Sequence, residues 1–163
     1  MTHQNLSRLA RAGLLTGVTD GLFSSVLSVA FYHSTVTRLF QGVASVLLGP
    51  DALTGGTRMA AVGLLMHFGV AFGWSAAFLL LTVNSARLQT LLRRRYGVVT
   101  AASVYGPFVW MAMSLAVVPL LVHRPPTINI RWWVQFVGHA LFVGLPIAVS
   151  IAPAFSRSAT GRS

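Results

Sequence analysis

Polar residues are crowded into short intervals along this chain, and four long apolar stretches run between them, at about 12–31, 59–81, 98–122 and 132–152. Each has close to the ~20 residues that an α-helix needs to cross ~30 Å of hydrocarbon. The pattern predicts an all-α integral membrane protein with four transmembrane helices in a single membrane domain, 1–163. A fifth, shorter pattern lies between the first two spans. Over about 35–48, Val36, Leu39, Phe40, Val43 and Leu47 recur at helical spacing and form one apolar stripe. Gly49-Pro50 ends the stripe. A short amphipathic interfacial helix on the outer membrane surface fits it, and a helix capping the bundle from outside would carry the same pattern. The interval "RLQTLLRRRYG" between the second and third spans reads as a loop. Pro107, Pro119 and Pro146 fall inside spans, where each removes a backbone donor and permits a kink.

Composition strengthens this picture. The chain has 163 residues, 55% of them hydrophobic and 9% charged, and its mean hydropathy is +0.72. A soluble domain of this size could not bury so much apolar surface. The formal net charge of +10 would suggest nucleic acid in a soluble protein. Here every basic residue is arginine, and the arginines gather at the ends of the apolar runs, so membrane topology accounts for them and no nucleic-acid partner is expected. Arg8, Arg11, Arg87, Arg93, Arg94, Arg95, Arg157 and Arg162 fall on one side of a four-span topology, and the smaller set Arg38, Arg58, Arg124 and Arg131 on the other. The positive-inside rule then places both termini in the cytoplasm, with Arg93, Arg94 and Arg95 as lipid and topology anchors. Trp132 and Trp133 stand where the fourth span meets water and read as aromatic-belt anchors, with Tyr32 marking the outer end of the first span. A cleavable signal peptide is the competing reading of the first stretch, given Arg8, Arg11 and the small residues Ser28-Val29-Ala30.

The candidate chemistry lies at membrane depth. The chain has two acidic residues, and one of them, Asp20, sits near the middle of the first span. His67 and His139 fall about 4–5 Å outward of the centres of theirs, by the ~1.5 Å helical rise. Ionisable groups in hydrocarbon invite a functional reading. Asp20, His67 and His139 are expected to share a layer, joined by Ser24 and Ser114 as hydrogen-bond partners. Such a cluster either bonds helices together, handles a proton or ion through an Asp–histidine pair, or ligates a haem iron or metal through the two histidines. Helix assembly is the default. His33 and His123 read as ordinary loop residues at the outer interface. Gly13, Gly17 and Gly21 form one GxxxG face in the first span, and Gly69 and Gly73 form another in the second, both candidates for close helix packing. A loose internal echo pairs "VGLLMHFGVAFG" with "VQFVGHALFVGL", setting His67 opposite His139.

Other chemistry finds no support. Cysteine is absent, which excludes disulfides and thiolate metal sites. There is no glutamate, no HExxH, no GxSxG elbow and no phosphate-cradling glycine loop. No catalytic residue and no resident metal is expected. No cofactor follows from the motifs, with haem and lipid the groups such a helical bundle would admit.

Several stretches taken together resemble a family of small, uncharacterised four-span bacterial inner-membrane proteins. They are "AGLLTGVTDG", "LFQGVASVLLG", "TGG", "VGLLMHFGVAFGW", "VYGPFVWMAMSLAVVPL" and "GHALFVGLPIA". The histidine-bearing second and fourth spans are more faintly similar to YagU-like membrane proteins. The resemblance implies an uncleaved first span and counts Asp20, Gln41, His67 and His139 among the family's landmarks. It implies no activity. The chain departs from the family pattern near Ser114, where an asparagine often stands. The expectation is therefore a multi-pass protein of the bacterial cytoplasmic membrane. First comes a non-enzymatic accessory subunit of a larger membrane complex, or a homo-oligomer. A small proton, ion or solute transporter is the alternative, and a haem- or metal-binding redox protein the third reading.

Overall fold

The computed structural model of the chain describes residues 3–153, and these are almost entirely helical with no strand. Four helices are long and apolar enough to cross a membrane: α1 (His3–Phe31), α3 (Gly56–Asn84), α5 (Gly97–Val122) and α6 (Ile130–Ile151). Two shorter helices accompany them, α2 (Val36–Leu48) and α4 (Ala86–Arg93). The first span extends beyond its expected start, because its polar first turns carry on the same helix.

Around the bundle, α1 packs on α3 and on α6, and α6 packs on α5. Side chains close the ring: Tyr105 of α5 donates its hydroxyl to the Trp74 carbonyl of α3 at 2.7 Å, and its ring lies 4.7 Å from that of Phe78. Half of the apolar window of α6 is buried inside the molecule (50%), against 22–28% for the other spans. The fourth span is thus the one most enclosed by the chain itself. Its Ile147, Ala148 and Ile151 join Ala12, Leu79, Ala101 and Ala102 in the core.

Three of the spans contain a π turn, at Leu27–Phe31, Ala112–Val117 and Ala140–Gly144. Two of these have a visible cause. Pro119 and Pro146 each stand two residues beyond a π segment. A proline has no N–H for the carbonyl four residues back and its ring crowds that carbonyl, so the preceding turn widens.

The α2 helix does more than rest on a surface. It lies against α3, burying Phe40, Gln41 and Ala44. A Cβ at Gly63 of α3 would collide with the Phe40 carbonyl, so the two backbones meet where no side chain intervenes. Gln41 donates through Nε2 to the Gly56 carbonyl at 3.0 Å, and Arg38 donates to the Leu53 carbonyl at 2.7 Å. The short amphipathic helix expected between the first two spans is present, and its buried face packs on the bundle. The arginine interval expected as a loop is in part helical. Ser85 caps α4 by accepting from the Leu88 N–H at 3.2 Å, and Leu88, Leu91 and Leu92 turn onto the core.

Candidate functional site

Among the described residues, the one ion pair joins α1 and α3. His67 presents Nε2 to the Gly17 carbonyl at 2.9 Å. A carbonyl can only accept, so Nε2 carries the hydrogen. The other ring nitrogen, Nδ1, faces Asp20 with 4.0 Å to Oδ2. Both side chains are mostly enclosed, at 14% and 16% exposure. At that separation the two form a loose ion-pair contact and not a hydrogen bond. The other carboxylate oxygen, Oδ1, is buried with no partner.

Glycine makes the approach feasible. Along α1, Gly13 faces the Phe72 ring, Gly17 the Phe68 ring, and Gly21 the His67 ring, whose Nε2 would stand 3.3 Å from a Cβ there. Any larger residue at Gly13 or Gly17 would drive the helices apart. The imidazole is also framed by aromatic edges, with Phe40 of α2 and Phe68 each 5.8 Å from it between ring centres. An aromatic collar of this kind keeps water from the ring and fixes its plane.

Chemically, the arrangement ties two helices: Nε2–H bonds the Gly17 carbonyl, and Nδ1 faces the Asp20 carboxylate beyond hydrogen-bond distance.

The remaining candidates lie elsewhere. His139 does not touch Asp20. Its Nδ1 donates to the Gln135 carbonyl of its own helix at 2.8 Å, its ring sits 4.8 Å from that of Trp110, and it remains within electrostatic range of Asp20 and His67. The echo between the two histidine-bearing segments therefore does not extend to their contacts: His67 bonds across helices and His139 within one. Ser114 does not join the Asp20 layer either. It donates to the Trp110 carbonyl at 2.6 Å and accepts from Trp132 Nε1–H at 2.9 Å. Ser24 is half-buried on α1 and takes no part in the His67 contact. Among the described residues, no group of three or more histidine, cysteine, aspartate or glutamate side chains gathers as a metal set.

Two anchoring expectations divide. Trp133 is 53% exposed, but Trp132 is buried, stacked on Phe136 at 5.4 Å and bonded to Ser114, so it acts as interior packing and not as a belt residue. Arg93, Arg94 and Arg95 are exposed, with Arg95 lying 5.1 Å over the Tyr96 ring. The second glycine pair stands differently from the first. Gly69 and Gly73 are exposed, and no described atom lies within 4 Å of a Cβ built at either. Within this chain they pack nothing.

Other glycines form close contacts that no short motif signalled. A Cβ at Gly106 would meet the His139 carbonyl, one at Gly144 the Ala102 carbonyl, and one at Gly138 the Phe23 ring. These are single glycines, so the GxxxG spacing could not have found them. A second interhelical bond was equally hidden. Thr19 Oγ1 lies 2.7 Å from the Phe142 carbonyl of α6 and 2.8 Å from the Leu15 carbonyl of its own helix. Phe142 is the residue four before Pro146, where an α-helix would have used the missing N–H.

No protein-family model, curated protein or solved structure matches the chain.

Proposed function

We propose that the protein is a non-enzymatic membrane component that works by association, as an accessory subunit of a larger membrane complex, with the Asp20–His67 contact serving assembly of its own bundle. The observation that supports this reading is the exposed glycine face of α3. Gly69 and Gly73 stand one turn apart on an outward surface beside Leu65, which is 73% exposed. Lipid chains gain nothing from a notch in a helix, whereas a neighbouring helix gains close backbone approach there. The interior glycines of α1 use the same spacing for that purpose against α3.

The test is extraction at native expression in a mild detergent, followed by native electrophoresis. The expected result is migration well above the size of one chain, with Gly69→Ile plus Gly73→Ile returning the protein to a folded single chain. A monodisperse single chain in the wild type would overturn the reading.

A second reading rests on the facing of His67 and Asp20 in the interior of the bundle, a pairing that a proton-handling membrane protein would also use. In proteoliposomes it requires a pH-driven flux that Asp20→Asn abolishes. Absence of flux in the wild type removes it.

A further inference from the structure

Where α5, α6 and the loop between them meet the end of α1, the surface opens into a pocket of about 510 Å³ that does not involve Asp20 or His67. The wide turn at Ala112–Val117 and the proline beside it form the α5 side of this pocket. The chain then reverses through His123, in the left-handed region at φ 52°, and through Pro125-Pro126. Two prolines lack N–H groups and hold φ nearly constant, so this wall is stiff and preformed.

The pocket has two chemically distinct parts. Its inner wall is apolar and aromatic, built from Trp110, Trp132, Met113, Val118 and Val122. At its mouth stand Arg124 and Arg131, both exposed. Arg131 lies 4.2 Å over the Tyr32 ring, which orients its guanidinium along the rim. Among the described residues, the one ion pair is that of His67 with Asp20, so neither rim arginine has a carboxylate against it. Three of the lining residues also carry buried polar atoms. Tyr32 Oη, Trp110 Nε1 and Gln135 Oε1 are each withdrawn from water without a hydrogen-bond partner, and all three residues line the pocket.

We propose that this pocket binds an anionic phospholipid, its phosphate held between Arg124 and Arg131 and one acyl chain laid along Trp110, Trp132, Val118 and Val122. Charge complementarity selects an anion, and an apolar wall running from the rim along a membrane-spanning helix selects an amphiphile over a soluble anion. Guanidinium groups suit phosphate because they present paired donors to its oxygens.

The experiment is native mass spectrometry of the purified full chain, loaded with phosphatidylglycerol or phosphatidylcholine of matched acyl chains. Phosphatidylglycerol should be retained about tenfold or more in preference, the scale that two cations give at an anionic head group. Arg124→Gln plus Arg131→Gln should bring the two lipids to parity. Both residues are exposed, so helical circular dichroism should be unchanged. Val122→Trp fills the apolar wall with the charges intact and should lower retention of both lipids. Glycerol 3-phosphate, the head group without chains, should fail to displace the lipid. Equal retention of the two lipids by the wild type overturns the proposal, as does a preference that survives the double arginine variant or retention that Val122→Trp leaves unchanged. Displacement by glycerol 3-phosphate overturns it in favour of a soluble phosphate ligand.

Discussion

At the scale of single residues, the same amino acid has opposite consequences depending on what faces it. Gly17 opposes the Phe68 ring while Gly69 opposes open space, although both belong to GxxxG motifs. Gly17→Leu should therefore abolish a folded bundle or lower its melting temperature sharply, because α1 and α3 must separate. Gly69→Leu should leave the isolated chain's stability within about 0.5 kcal/mol of wild type, as for substitutions that touch nothing. Thermal stability followed by fluorescence-detected size exclusion in detergent checks both. At the paired site, His67→Ala removes a ring that bonds Gly17 and is gripped by Phe40 and Phe68. It should destabilise by about 2–4 kcal/mol, combining a cavity with a lost interhelical bond. Asp20→Asn should cost far less, since neither Asp20 oxygen accepts a hydrogen bond and the contact is 4.0 Å long. A large loss on Asp20→Asn would show that the carboxylate is more tightly held than that distance allows.

At the scale of helices, backbone defects become contacts. Pro146 cannot donate to the turn that contains Phe142, and the Thr19 hydroxyl reaches that carbonyl from α1. Thr19→Val preserves shape and removes the donor. Its expected cost is about 0.6–1.7 kcal/mol, the range measured for hydrogen bonds between membrane helices, read as a drop in melting temperature. Tyr105→Phe removes the bond to Trp74 and should cost a similar about 0.6–1.7 kcal/mol, because the aromatic packing on Phe78 remains. The apolar runs announced α1, α3, α5 and α6 because each offers ~20 mostly apolar residues, the length that crosses a bilayer. They did not announce α4. Its leucines at 88, 91 and 92 lie among arginines, and the charge density there outweighed a stripe only two turns long.

At the scale of the whole molecule, the four spans imply contact with a lipid bilayer. Orientation is an inference from arginine placement, and it is directly testable because the chain contains no cysteine. A single cysteine at Thr127, between α5 and α6, should react with a membrane-impermeant maleimide in intact cells. One at Thr90, in α4, should react only after permeabilisation. The reverse pattern would invert the topology and with it the side on which the arginine-rimmed pocket opens.

The sequence by itself determined the class of the protein and the number of its spans, since hydropathy, length and charge placement are properties of local segments. It also marked Asp20, His67 and the α1 glycines as unusual, because an ionisable residue or a glycine repeat in an apolar run stands out without any neighbour. Which of those features meet was decided only by tertiary structure. Asp20 faces His67 and not His139, Ser114 belongs with Trp132, and Gly69 and Gly73 face outward, because the rotation of each helix about its axis depends on its neighbours. In a bilayer the lipid-facing and protein-facing sides of a helix are both apolar, so hydrophobicity carries little record of that rotation. The polar residues carry it instead, and each does so only through the partner that packing brings to it.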